Sequence, residues 1–490
     1  MKNLTATICL TIAVLLGSAG MSWSTDYQKG YAAFRSGDYA TALREWKPLA
    51  EQGNAIAQSS LALMYATGRG VPKDNKTAVK WYRLAAEQEF ANAQHNLGVL
   101  YAEGRGVPRD DKTAVKWYRL AAKQGFANAQ FNLGVHYNKG HGVPKDDKTA
   151  VKWYRLAAEQ GFANAQHNLG VHYNKGHGVP KDDKTAVKWY RLAAEQGFAN
   201  AQQILGLHYN KGHGVPKDSK TAVKWWKLAA KQGVRDSQFN LGLMYERGTG
   251  VQQNLKTAIK WYTLAAKQGF SNAQAALGKI YAFGLKISDY KKALKWFTLA
   301  ADQGHANAQA GLGILYGGGY GIPQNSIYGY MWISIAAANG SKLGKRVKNK
   351  IAKNEKITPS QIAEAEKLAR ECVRKKYKGC SFIVKKRNHF QKGLAAFQNG
   401  DFATALREWK PLAEQGNVNA QYNLGRMYYN GQGVLQDYKT AVKWWKLAAE
   451  QGFAGAQGQL GVMYYKGQGV PQDYKTAVKW YRLSAEQGVA

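Results

Sequence analysis

Twelve of the fifteen tryptophans recur at one position of a repeating unit: Trp46, Trp81, Trp117, Trp153, Trp189, Trp225, Trp261, Trp296, Trp332, Trp409, Trp444 and Trp480. The steps are 35 or 36 residues, apart from a gap of 77 between Trp332 and Trp409. A fixed period of this size marks a stack of small helical units, each unable to bury a core alone. Stacking also explains how 490 residues avoid the division into globular domains usual at this length.

Residues 127–162 serve as the type unit. Gln130, Leu133, Gly134 and Tyr137 recur at steps of three and four, which predicts one buried face of a first helix. Gly134 lowers helix propensity, so its place implies close approach of a second helix. Gly140 and Gly142 predict a turn, and Asp146 is placed to cap the next helix. That second helix is expected to bury Ala150, Trp153, Tyr154, Ala157 and Ala158 and to stop at Gly161.

The pattern Ala-x-x-x-Leu-Gly-x-x-Tyr, Gly-x-Gly-Val, Asp, Ala-x-x-Trp-Tyr-x-x-Ala-Ala-x-x-Gly resembles the Sel1-like repeats, relatives of the tetratricopeptide repeats. The resemblance implies an all-α fold, a right-handed αα-superhelix (α-solenoid) of helix pairs in two arrays. Residues 25–53 look like a tetratricopeptide-like opening cap, and residues 54–339 like eight Sel1-like units with a shortened loop at Leu285 to Asp289. Residues 340–388 form a basic helical cap and junction. The opening motif then returns over 389–416, before two further units at 417–490. Residues 1–24 read as a secretory leader: Lys2, an apolar run from Ile8 to Leu16, then small residues to Ser24. Cys9 lies inside that run. The run is too short to span a bilayer, no other segment could cross one, and the mature chain is expected to be exported, periplasmic or secreted. In an oxidising compartment Cys372 and Cys380 are either a disulfide or two thiols, and their spacing does not decide between these.

The net charge is +37. Residues 340–388 carry 16 Lys or Arg against 4 Asp or Glu, and the remaining excess belongs to the period. Lys148, Lys152 and Arg155 lie at i, i+4 and i+7 on the exposed side of a second helix, as do Lys184, Lys188 and Arg191. Stacked, they make a basic stripe: a solvated face, or a surface for an acidic envelope polymer. Export makes nucleic acid a poor partner.

By analogy with tetratricopeptide proteins, the first helices line a concave surface. Opposite their buried face are expected Asn132, His136 and Lys139, then Asn168, His172 and Lys175, with Asn96, Asn240 and Asn423 at the asparagine position. Amides that donate and accept at once suit the backbone of an extended peptide. The bland alternative is ordinary hydrophilic positions multiplied by duplication, since units 127–162 and 163–198 differ only at Phe131 against His167. His141, His177 and His213 in the loops lack a further ligand for a metal. Ser288-Asp-Tyr-Lys291 has Ser-x-x-Lys spacing but occupies a helix start, and neither Ser-Asp-Asn nor Lys-Thr-Gly accompanies it. No catalytic residue, cofactor or metal is therefore expected. The expected function is a non-catalytic scaffold that docks a protein or peptide partner along the concave groove. A glycan or polyanion binder is the first alternative and a hydrolase-like activity the second.

Overall fold

A computed structural model describes residues 25–284, 288–352, 357–377 and 380–487. The candidate leader, residues 1–24 with Cys9, lies outside them, as do residues 285–287 of the shortened loop and 353–356 and 378–379 of the basic junction. The described residues are helices and turns without a strand. They fall into two compact units divided between Ala265 and Ala266.

In the first unit the pairs are α1 (Thr25–Ser36) with α2 (Tyr39–Glu51), α3 (Ala55–Thr67) with α4 (Asn75–Glu87), and α5 (Ala91–Glu103) with α6 (Asp111–Lys123). Next come α7 (Ala127–Lys139) with α8 (Asp147–Glu159), and α9 (Ala163–Lys175) with α10 (Asp183–Glu195). The last are α11 (Ala199–Lys211) with α12 (Ser219–Lys231), and α13 (Arg235–Arg247) with α14 (Leu255–Lys267), which reaches the boundary. Consecutive helices pack on one another along the unit, so the fold is an α-solenoid of helix pairs.

The type unit shows how the sequence builds each pair. The Asp146 side chain accepts from the Thr149 amide at 3.0 Å and from the Thr149 hydroxyl at 2.6 Å, which starts α8. Gly140 ends α7 in the left-handed region at φ 74°. Gly142 (φ 70°) packs against the backbone of Asp111 in the preceding unit, and a Cβ there would strike its carbonyl oxygen. The first glycine of the Gly-x-Gly turn is thus a helix stop, and the second a contact between repeats. A Cβ on Gly134 would lie 2.7 Å from the Tyr154 ring, the close approach expected from sequence.

The second helix differs from expectation at its tryptophan. Tyr154 is buried at 1 % exposure, whereas Trp153 is half-buried. Tyr154 goes into the core between α8 and α9 with Ala150, Ala157, Ala158, Ala165 and Leu169. Trp153 packs instead against the core that holds Ala114, Tyr118, Ala129 and Leu133. Trp153 is therefore a seam residue, covering the core between α6 and α7, whereas Trp46, Trp332 and Trp409 are fully buried.

The second unit continues with α15 (Ser271–Phe283), α16 (Tyr290–Ala301), α17 (Ala306–Gly318) and α18 (Ser326–Ala338), then α19 (Lys342–Ala352) and α20 (Pro359–Arg374). Helix α18 is buried from Tyr328 to Ala336, with α17, α19 and α20 packed on it. A capping box starts α20: the Thr358 hydroxyl accepts from the Gln361 amide, and the Gln361 side chain accepts from the Thr358 amide. Helices α21 (Cys380–Gln398) and α22 (Phe402–Glu414) repeat the packing of α1 and α2. Trp409 Nε1 donates to the Phe390 carbonyl at 3.1 Å, as Trp46 Nε1 does to that of Tyr27 at 3.3 Å. Two pairs complete the order: α23 (Val418–Asn430) with α24 (Tyr438–Glu450), and α25 (Ala454–Lys466) with α26 (Tyr474–Ala485).

Candidate functional site

The first helices α3, α5 and α7 lie side by side, joined by polar side chains. Ser59 donates to Asn92 Oδ1 at 3.2 Å, and Asn96 Nδ2 donates to the same oxygen at 2.9 Å. The other end of the Asn96 amide meets His95 Nδ1 at 3.2 Å, while Asn132 Nδ2 reaches His95 Nε2 at 3.0 Å. Because an amide N–H can only donate, His95 Nε2 accepts and the proton sits on Nδ1. Burial pushes the His95 pKa down to about 4, so this neutral tautomer persists at neutral pH. Three successive first helices thus share one hydrogen-bond chain.

The candidate asparagines belong to this frame. Asn96, Asn132, Asn168 and Asn240 are half-buried. Asn96, Asn132 and Asn168 lie beside the hydroxyls of Tyr82, Tyr118 and Tyr154. Burial drives all three tyrosines upward, Tyr154 to about 12. Near Asn240, Trp226 replaces the tyrosine and donates to the Gln203 carbonyl at 3.1 Å. In the second unit Asn423 is half-buried and donates to the Asn419 carbonyl at 2.9 Å. Lys139 and Lys175 are exposed at the ends of their helices.

The histidines overturn the expectation that they face outward. His136 and His172 are 8 % and 4 % exposed. Each Nδ1 donates to the backbone carbonyl of its loop histidine, His141 at 2.9 Å and His177 at 2.8 Å. The His136 ring packs on Tyr118, with centroids 5.3 Å apart. These rings brace the Gly-x-Gly turn from inside, and desolvation keeps their pKa values below the usual range. The part of each first helix left accessible runs instead through Asn128, Asn132, Val135 and Lys139, and through Asn164, Asn168, Val171 and Lys175 in the next unit.

A buried glutamine ladder sits behind that face. Gln130 Nε2 donates to the Ala122 carbonyl at 3.2 Å, and Gln130 Oε1 accepts from Gln160 Nε2 at 2.7 Å. The same pair of bonds recurs at Gln94, Gln166 and Gln202, and in the second unit at Gln274, Gln421 and Gln457. Each glutamine satisfies a carbonyl in the last turn of the preceding second helix, where orphan acceptors are otherwise costly. Gln130 had been placed on the buried face, but the ladder itself was not foreseen. Its signal is a second glutamine thirty residues after the first.

Lys148, Lys152, Lys184, Lys188, Arg155 and Arg191 are exposed on α8 and α10. The two arginines reach the next first helix, Arg155 donating to the Tyr173 hydroxyl and Arg191 to that of Tyr209, both at 2.7 Å. Near the stripe, the Thr149 hydroxyl and amide hold the Asp146 carboxyl below the usual carboxylate range, with Lys152 adding to the effect. Among the described residues no three His, Cys, Asp or Glu side chains come together as a metal-ligand set. No described helix is long and apolar enough to cross a membrane. In the second unit Cys372 and Cys380 are buried and joined as a disulfide, with Cα atoms 5.5 Å apart.

Comparison with known families and structures matches this geometry. The Sel1 repeat matches ten segments: 55–90, 91–126, 127–162, 163–198, 199–234, 235–270, 271–305, 306–341, 418–453 and 454–489. A protective antigen present in uropathogenic Escherichia coli strains, described as displaying an SLR fold, is 33 % identical over 91 % of this chain and 89 % of its own, with a TM-score of 0.61. A Sel1 repeat protein from Oxalobacter formigenes is 36 % identical over 50 % of this chain and 97 % of its own, with a TM-score of 0.45. The search of curated proteins gave no match. With ten matched repeats and one solved relative aligned over most of both chains, this chain belongs to the Sel1-repeat family.

Proposed function

We propose that this chain is a non-catalytic scaffold that docks a polypeptide partner along the face of its first helices, in the cell envelope or outside the cell. Sel1-repeat proteins generally mediate protein–protein interaction, and their fold is typically a scaffold without catalysis. The observation that carries the reading is the side-by-side alignment of first helices through Asn92, Asn96, His95 and Asn132. The sister repeats 127–162 and 163–198 each present one amide, one small apolar side chain and one terminal lysine in the same register, Asn132, Val135 and Lys139 in the first and Asn168, Val171 and Lys175 in the second. A ladder of that kind suits a chain laid across several repeats, with amides meeting its backbone and lysines its acidic groups. Location outside the cytoplasm rests on the leader-like residues 1–24. The similar Escherichia coli protein is a protective antigen, and protection requires access by the immune system, which supports the same location.

The test is affinity capture from envelope extract with the chain from Thr25 onward as bait, washed at low and then high salt. A defined protein retained at high salt, and lost from a Lys139→Glu/Lys175→Glu/Lys211→Glu bait, supports the reading. Recovery of acidic polymer alone, released by salt, replaces it with a charge-led binder.

A further inference from the structure

The second helices of the first unit carry a feature that the first-helix reading does not use. Leu84, Leu120, Leu156, Leu192, Leu228 and Leu264 are each 44–45 % exposed, at steps of 36 residues. A single exposed leucine needs no explanation, but six at one register are a row. The row is not only a relic of duplication: the leucine persists where its neighbours change, beside Trp226 and Lys227 in α12 and Thr263 in α14. One turn before each leucine stands an exposed or half-buried lysine, from Lys80 to Lys260, with another a turn earlier, from Lys76 to Lys256. Among the described residues none of these lysines is in an ion pair within 4 Å.

We infer that this leucine–lysine row is a second docking surface, built for an acidic amphipathic helix of a partner protein lying across the second helices. Three observations select that occupant. The lysines, one and two turns before each leucine, line one side of the row and call for acidic residues on the matching side of an apolar seam. The backbone of the second helices is spent on its own helical bonds, so the row offers no edge to an extended peptide, and a partner that satisfies its own backbone fits better. Spacing gives the third. Successive second helices are neighbours, since Gln232 Nε2 donates to the Gly197 carbonyl at 3.0 Å across their ends, and packed helices sit about 8–10 Å apart. Seven residues of a helix rise about 10.5 Å, so one apolar residue per heptad of the partner meets one leucine per repeat. A lipid surface is disfavoured because each second helix offers only one exposed leucine at this register, little apolar area beside its two lysines.

The probe is a four-heptad, hydrocarbon-stapled helix of Glu and Ala with one leucine per heptad, titrated onto the chain from Thr25 onward. Controls carry serine for leucine, or leucine every fifth residue. The heptad peptide should bind, and Leu120→Ser/Leu156→Ser/Leu192→Ser should weaken it about tenfold or more. These leucines are half out in water, so circular dichroism should show the variant folded. A first-helix Lys139→Glu/Lys175→Glu variant should bind the peptide as wild type does, which separates this inference from the function proposed above. No binding of the heptad peptide, equal binding of the fifth-residue control, or an unchanged affinity in the serine variant would overturn it. So would binding of phosphatidylglycerol vesicles that depends on these leucines while the peptide does not bind.

Discussion

His167 is the one position at which two sister repeats differ, and it tests the reading of the first-helix core. Its ring packs on Tyr190 and Phe198, with centroids 5.7 and 5.0 Å away. Phe131 makes the equivalent contacts to Tyr154 and Phe162 at 5.9 and 5.3 Å, so phenylalanine already fits this slot. The His167 Nδ1 is buried with no hydrogen-bond partner among the described residues, and burial lowers its pKa to about 4. An ordinary histidine titrates near 6.5. Between those values the unfolded chain takes up a proton that the folded chain refuses, so stability is intact above pH 6.5 and falls as pH drops toward 4. The linkage amounts to about 2 kcal/mol at pH 5 and almost nothing at pH 7. His167→Phe removes it, along with an unsatisfied nitrogen worth about 1 kcal/mol. Hydrogen exchange of α9 and α10, corrected for the intrinsic rate at each pH, should show the variant more protected by about 1 kcal/mol at pH 7 and about 3 kcal/mol at pH 5. A variant as sensitive to acid as the wild type would refute the reasoning.

Other substitutions follow the same physics. His95→Phe should also flatten the pH response, but it strands Asn96 and Asn132 and so should cost about 1 kcal/mol at pH 7 in the same exchange measurement. Gln130→Leu breaks the ladder at Ala122 and Gln160 and should destabilise α7 and α8 by about 1–3 kcal/mol, read from urea unfolding. Gly142→Ala puts a Cβ into the Asp111 carbonyl at a positive φ, and should loosen the contact between repeats more than Gly161→Ala, where a Cβ meets nothing within 4 Å. Reducing Cys372–Cys380 should cost about 2–3 kcal/mol by the chain-entropy account, seen as faster proteolysis near α20.

Much of the repeat was legible because each signal had a single physical cause. Gly134 could tolerate its low helix propensity only where another helix approaches, and Tyr154 lies there. Asp146 stood one residue before a helical pattern and is its cap. The histidines were misplaced because a polar residue was assumed to seek water. The other repeats carried the correction: the position of His136, His172 and His208 is Leu100, Met244, Ile280, Met427 and Met463 elsewhere, an apolar slot throughout. Trp153 was misread because its spacing gives a helix face but not which of two adjacent cores that face covers. The glutamine ladder joins residues thirty apart on the two helices of one repeat, and no window of one helix contains both ends. Leu156 went unnoticed for the opposite reason, since an apolar residue in a helix is expected to be inside.

Where a partner touches the chain decides the account most directly. A photo-crosslinking amino acid placed at Lys139 or Lys175 on the first helices, or at Lys152 or Lys188 on the second, can be irradiated in the producing cell. Mass spectrometry then identifies what is attached at each position. One defined protein joined through Lys139 and Lys175, with contacts repeating across successive units, is the predicted result. Attachment only through Lys152 and Lys188, with the first helices bare, would contradict it.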